Sequence, residues 1–348
     1  MHVKKLFAVF FTLLLFKITS QPALSQTPFL RDVIWSSSGD LLVLGHEDMV
    51  CIHETDHFEP VLIIDDQIEA EISSIILDNE ASQLITGHLD GTINFWDLQN
   101  GTIVEITDFY DLPVHDIEIS TDGTLLAITT RDERITELWD RETLTVLSRI
   151  TDELTCSFCT NPVFLMDFSP VGSVLALFSA DLAEGNNRAT IWLWDVDADN
   201  EVAVLNYPLD TDPFLAYFFH HLEFSTDGQY ILGSDEGGSL VLWNVETQEY
   251  LGATIVHSQL GAVRGVFSPA GDILAVGGRE LYVAEFSIND SGLHLSEPII
   301  LDRETPVSSL AFNSTGGLLA TLNPDDEVII WDVETGDQIA GFPMCGEE

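Results

Sequence analysis

Between residues 30 and 343 the chain runs seven times through one cycle of short strands and tight turns. The last copy shows the cycle most fully. Val307–Phe312 is followed by a turn at Asn313–Gly317, then Leu318–Leu322, a polar turn at Asn323–Asp326, Glu327–Val333 and finally Gln338–Phe342. Runs of this length, apolar or alternating and punctuated by Gly, Asp, Asn or Pro, predict antiparallel strands joined by tight turns. A lone four-stranded sheet of this size cannot bury both its faces, so the copies must stack on one another.

Two markers set the number of copies. Third strands end in Trp96-Asp97, Trp139-Asp140, Trp194-Asp195 and Trp331-Asp332, and Trp243-Asn244 is a near match. The spacing extends this series to Ile52 before it and to Phe286 within it. Independently, the turn after the first strand recurs at Ser36–Asp40, Asp78–Ser82, Ser120–Thr124, Ser169–Ser173, Ser225–Gln229, Ser268–Asp272 and Asn313–Gly317. A bulky apolar residue precedes each of these turns, from Trp35 to Phe312.

With both markers in register, the sequence resembles the WD-repeat family, whose unit is a four-stranded blade and whose blades form a ring. The resemblance covers about residues 30–343 and implies an all-β, seven-bladed β-propeller. Its blades are expected at about 30–65, 71–106, 113–150, 162–206, 218–255, 261–301 and 306–342, with 344–348 as a tail. Family blades often carry a Gly-His pair before the first strand, whose His joins a hydrogen-bonded set with Ser or Thr, a turn Asp and the Trp. Asp90, Asp132, Asp235 and Asp325 fit the turn Asp, but His257 is the best match for the His. Gly45-His46 and Gly87-His88 follow second strands, so the blades are expected to rely on apolar packing instead.

Charge limits the partners. Asp and Glu number 58 against 12 Lys and Arg, a formal net charge of −46. Such a surface repels phosphate backbones and attracts cations or basic proteins. The three lysines, Lys4, Lys5 and Lys17, bracket the apolar run Leu6–Phe16, and Ala23-Leu24-Ser25 follows. Residues 1–25 therefore read as a secretory signal peptide, with an uncleaved N-terminal anchor as the alternative, which predicts export to the periplasm, the cell surface or the medium. Beyond it, no stretch reads as transmembrane.

The four cysteines, Cys51, Cys156, Cys159 and Cys345, fit disulfides in an exported chain. The ring that the resemblance implies makes blade 1 and blade 7 neighbours, so Cys51–Cys345 is the expected staple. Cys156 and Cys159 lie in a long connection and read as a short loop disulfide, since zinc would need two further ligands. Asp195, Asp197 and Asp199 resemble the start of a calcium loop, but Asn200 and Asn206 replace its glycine and its final acid. Glu118, Asp167 and Glu223 stand at one equivalent first-strand position, with His115, Asp116, His220 and His221 nearby. In a propeller they would face the channel, as a weak metal site (calcium, if any) or as acids solvated by channel water.

Longer connections at Thr151–Pro162, Ala180–Arg188 and Tyr207–Phe218 mark blades 3 to 5 as the expected recognition sector. The reading is a monomeric, non-enzymatic protein-binding scaffold without a cofactor, its partner basic. The alternatives are a propeller-type enzyme with a metal or ligand at the channel mouth, or a carbohydrate-binding surface protein that uses Phe158, Tyr207 and Phe214.

Overall fold

A computed structural model describes residues 30–345 apart from 66, 79–81, 109–111, 131–135, 151–164, 182–187, 207–218, 236–237, 256–263, 290–291 and 304. Residues 1–29, with the expected signal peptide, and Cys156, Cys159, His257, Asp132 and the long connections of blades 3 to 5 lie outside the described residues. The fold is a seven-bladed propeller. Every blade is an antiparallel meander in chain order, and among the described residues there is no helix. The blades start at Arg31, Ile72, Val114, Met166, Phe219, Arg264 and Ser309.

Local chemistry explains why the turns recur. The first turn residue turns its side chain back on the chain. Ser36 Oγ accepts from the Leu41 amide at 2.9 Å, Ser225 Oγ from Tyr230 at 2.9 Å, and Asn313 Oδ1 from Leu318 at 3.0 Å. The fourth turn residue is a glycine in six blades, from Gly39 to Gly316, with φ between 70° and 79°. That left-handed conformation disfavours residues with a Cβ, so glycine marks the position. The Trp-Asp carboxylates close the next turn. Asp97 accepts from the Gln99 amide at 2.7 Å, Asp140 from Thr143 at 2.8 Å and Asp332 from Thr335 at 2.8 Å. Asn244 does the same for Thr247 at 2.7 Å, which is why an Asn serves there.

Packing places one apolar cluster at each junction between neighbouring blades, seven in all. Each blade thus buries one face on the blade before it and one on the blade after. The cluster between blades 1 and 7 closes the ring, with Trp35, Leu44 and Cys51 against Leu322, Ile330 and Met344. Blade 7 has four strands of its own, and Cys51 and Cys345 are joined by a disulfide across this junction, Cα to Cα 5.7 Å.

Register corrects two positions in the tryptophan series. In five blades the Trp pairs with the second residue of the second strand and sits just after a bulge toward the fourth strand. In blade 1 the residue that pairs with Leu42 and follows the bulge is His53, not Ile52. In blade 6 the partner of Leu274 is Ala284, not Phe286. Equal spacing assumes equal hairpins, but Leu42 to His53 and Leu274 to Ala284 are shorter steps along the chain than Leu84 to Trp96, Ile231 to Trp243 or Leu319 to Trp331. Blade 6 departs further. Its third strand, Leu281–Asn289, pairs first with Gly292–Leu295 and then with Ile299–Asp302, so the outer strand is in two pieces.

The expectation that the blades manage without a His also needs correction. Trp96 Nε1 donates to Thr86 Oγ1 at 2.9 Å, and Thr86 Oγ1 lies 2.8 Å from His88 Nε2. His88 Nδ1 is 2.9 Å from the Ala70 carbonyl oxygen. The only donor sequence that satisfies all three contacts runs Trp96 to Thr86 to His88 to Ala70, with the proton of neutral His88 on Nδ1. His88 belongs to the Gly-His pair after the second strand, and it reaches the junction before the first strand through space. Burial holds its pKa below the ordinary value, which keeps the ring neutral.

Candidate functional site: the central channel

First strands converge on the axis, and a cavity of about 290 Å³ opens among them. Asp32, Ser74, Asp116, Glu118, Leu165, His221 and Arg264 line it, and they belong to two tiers of first-strand positions defined by distance from the recurring turn. Four residues before the turn stand Asp32, Ser74, Asp116, Leu165, His221, Arg264 and Ser309. Two residues before it stand Ile34, Ile76, Glu118, Asp167, Glu223, Val266 and Ala311. Strand alternation turns both positions to the same face, which is why one channel receives both.

The outer blades of the first tier are clamped together. Arg264 Nη1 donates to Asp32 Oδ1 at 3.1 Å and to Ser309 Oγ at 3.0 Å, and Ser309 Oγ donates to Asp32 Oδ1 at 2.5 Å. One guanidinium of blade 6 thus joins blades 7 and 1. On the opposite arc, Ser74 Oγ of blade 2 donates to Asp116 Oδ1 of blade 3 at 3.3 Å and accepts from the Ile117 amide at 3.2 Å.

Two of the three predicted acids make the same kind of link. Asp167 Oδ2 accepts from the Phe224 amide of blade 5 at 2.5 Å. Glu223 Oε2 accepts from the Phe267 amide of blade 6 at 3.2 Å. Each acid ties its first strand to the backbone of the next blade. His221 Nε2 lies 3.6 Å from Glu223 Oε2. Among the described residues, no group of three or more His, Cys, Asp or Glu is arranged to hold a metal ion. The contacts of Arg264, Asp167 and Glu223 are charge-assisted staples around the channel.

Crowding of carboxyls shifts their titration. Burial, with Asp32 adding negative charge, pushes Asp116 up to about 7. Burial and the charge of Asp116 push Asp167 to about 7 as well. Glu118 is raised well above its usual range by burial and by Asp116, Asp167 and Asp32. Glu223 is raised well above it by burial and Asp167. Burial, with Arg264 and His220 nearby, holds His221 well below an ordinary imidazole.

The calcium-like acids are spent on turns. Asp195 Oδ1 accepts from the amides of Asp197 at 3.0 Å and Ala198 at 2.9 Å. Asp197 takes the Ser173 hydroxyl and Asp199 the Ser148 hydroxyl of blade 3. Sequence reasoning placed Glu118, Asp167 and Glu223 in the channel but passed over Asp32, Arg264 and Ser309. The signal was present: the same turn register, read two residues earlier, exposes the first tier.

The comparisons with known proteins agree with this architecture. A family model described as "WD domain, G-beta repeat" matches residues 59–97. That segment runs from the outer strand of blade 1 through three strands of blade 2, so the sequence repeat is offset by one strand from the blade. Cilia- and flagella-associated protein 44 of Mus musculus is 22% identical over 296 residues, 79% of this chain and 14% of that protein. Eukaryotic translation initiation factor 3 subunit I of Drosophila virilis is 31% identical over 96 residues, 27% of this chain and 29% of that protein. The counterpart from Culex quinquefasciatus is 28% identical over 92 residues, 26% of this chain and 28% of that protein. The aligned part spans less than a third of each of these relatives.

Proposed function

We propose that this chain is an exported WD-repeat scaffold without catalytic activity, which holds a basic partner protein on a rigid acidic ring. The observation that carries this reading is the use of the channel carboxylates. Asp32, Asp167 and Glu223 are engaged with an arginine, a serine or the backbone amides of the next blade. Acids spent on holding blades together leave recognition to the outer surface, where the charge balance selects cationic partners. The printed name of one relative, a subunit of a translation initiation factor, describes a component of an assembly. Fold alone is a weak guide to function, so the argument rests on the acid surface and the channel bonding. Export is supported by the lysine pair, apolar run and small residues of the leader, and it suits the Cys51–Cys345 bond. In this reading the scaffold is monomeric and needs no cofactor.

A random-peptide display library panned against the immobilised chain tests the basic-partner reading. Enrichment of Lys- and Arg-containing sequences, lost when salt is raised, is the expected result. Enrichment of neutral or acidic sequences would overturn it. Calorimetric melting with calcium and then with chelator tests the cofactor reading. A stoichiometric upward shift beyond that of matched salt would restore a cation site.

A further inference from the structure

The split outer strand of blade 6 opens a groove toward blade 7. Where the two pieces meet, Ser296 turns inward. Its amide donates to the Glu285 carbonyl at 2.8 Å, and its hydroxyl accepts from the Glu285 amide at 3.1 Å. The extra hairpin leans the other way, onto blade 5, where Phe286, Ile288, Leu293 and Leu295 pack with Tyr230 and Leu251. On the blade 7 side a groove of about 610 Å³ remains. Ile273, Val283 and Val333 give it an apolar lining, and Ile299, 42% exposed, forms one wall. Gly316 and Gly317 form the other wall, and Glu285, Glu297 and Glu334 stand exposed at the rim.

The equivalent junction between blades 2 and 3 shows what is distinctive here. That groove, of about 500 Å³, contains Arg141, the residue after Trp139-Asp140. Arg141 reaches back to Asp78 at 3.0 Å and Gln83 at 2.9 Å in blade 2. In blade 7 the residue after Trp331-Asp332 is Val333, buried and apolar. The groove between blades 6 and 7 therefore has an apolar floor and an acidic rim, and among the described residues no Lys, Arg or His lines it.

We infer that this groove takes an extended segment of a partner protein in which an apolar side chain is flanked by lysine or arginine. The inference rests on the basic-partner reading above and gives it a place. The apolar side chain covers Ile299 and Ile273, and the flanking cations meet the three glutamates. The volume suits a few residues of an extended chain. Because the glutamates are exposed, they contribute mostly to encounter rate and specificity, and the apolar contact holds the segment.

Fluorescence anisotropy with a labelled peptide of one leucine between paired arginines tests it, against the same peptide with serine for leucine. The leucine peptide is expected to bind more tightly. Gly317→Phe places a ring at the wall of the groove, where a Cβ meets only Thr315 Oγ1 at 3.5 Å. Gly317→Phe and the pair Glu297→Lys, Glu334→Lys should each weaken the leucine peptide by roughly tenfold, with melting unchanged. The control pair Glu105→Lys, Glu142→Lys makes the same charge change at the blade 2–3 groove and should have less than about a twofold effect. Equal loss with the control pair and no effect of Gly317→Phe would overturn the groove while the basic-partner reading stood. Absence of binding by either peptide would overturn the groove too, and the display library would then decide the broader reading separately.

Discussion

His53 stands at the tryptophan position of blade 1, and its Nε2 lies 2.9 Å from the carbonyl oxygen of Met344, beside Cys345. Its Nδ1 is 3.0 Å from the Phe58 carbonyl oxygen, and its ring lies 4.9 Å from that of Phe342. The one blade that departs from Trp with a polar ring is thus the blade that holds the segment after the last strand of blade 7. The Cys51–Cys345 disulfide and the Arg31–Asp326 pair at 2.7 Å hold the same junction. Together they replace a strand shared between the first and last blades.

The disulfide closes a loop of 294 residues in sequence separation. In the chain-entropy picture a loop of that size contributes up to about 5–6 kcal/mol, less any native strain. Reductant, or Cys51→Ala, should lower the melting temperature by several degrees or more, and Cys51→Ala should respond to reductant much less than the parent. Peptide mapping without reductant that finds both thiols free would refute the staple.

Three equivalent threonines, each ten residues before a Trp, should respond differently to valine. Thr86 bonds both Trp96 and His88, so Thr86→Val strands two buried groups and should cost about 2–4 kcal/mol. Thr321 serves Trp331 at 3.0 Å, so Thr321→Val should cost about 1–2 kcal/mol. In blade 3, Trp139 donates instead to Glu137 at 3.0 Å, and Thr129 Oγ1 has no partner among the described residues. Thr129→Val should be neutral or stabilising, because it removes an unsatisfied buried hydroxyl. Urea denaturation of the three variants gives the ranking, and equal losses would refute this account.

Arg141 should matter more than a surface arginine. It meets Asp78, whose side chain is only 5% exposed. Burial pushes the Asp78 carboxyl up, but donors from Gln83, Arg141 and Ser82 outweigh burial and hold it below the usual carboxylate range. Arg141→Met leaves the buried charge with the Ser82 and Gln83 donors alone. The expected loss is about 2–3 kcal/mol near neutral pH, below the full cost of an orphaned ion because those donors remain. A loss under about 0.5 kcal/mol by urea denaturation would place the pair among ordinary surface bridges.

Blade number was legible because it depends on contacts within a few residues. A Ser or Asn cap and a glycine at positive φ write each first turn into the sequence, as at Ser225 and Gly228. Trp positions were legible from the Trp itself, and where another residue stands there, spacing works only between hairpins of the same length, so it missed His53 and Ala284. The Asp32–Arg264 pair spans 232 residues and skips a blade, and only ring closure brings it together. His88 was passed over because a motif is defined by chain order, whereas its bond to Ala70 needs only proximity. The channel acids were found, but whether they bind a cation or hold the next blade depends on which backbone amides face them. That is set by how one blade leans on another, which no single repeat records.

The channel also predicts how stability depends on pH. Asp116 and Asp167 titrate near 7 in the folded ring, while Glu118 and Glu223 are raised well above their usual range. Unfolded carboxyls titrate near 4. Between these values the folded state binds more protons than the unfolded state, so these four groups make stability fall as pH rises. His221 and His88, held below an ordinary imidazole, act oppositely and cost stability as pH falls below about 6.5. Asp78, Asp90 and Asp122 are lowered, and their contribution is lost only below about 4. With four raised carboxyls against two lowered histidines, the melting temperature should climb from about pH 8 to about pH 5 and fall again below about 4. The triple variant Glu118→Gln, Asp167→Asn, Glu223→Gln keeps acceptors for the blade-to-blade bonds and removes three titrations. It should flatten the neutral-to-acid climb and melt higher than the parent at alkaline pH. If the climb survives unchanged in the triple variant, it comes from relief of the overall negative charge rather than from the channel.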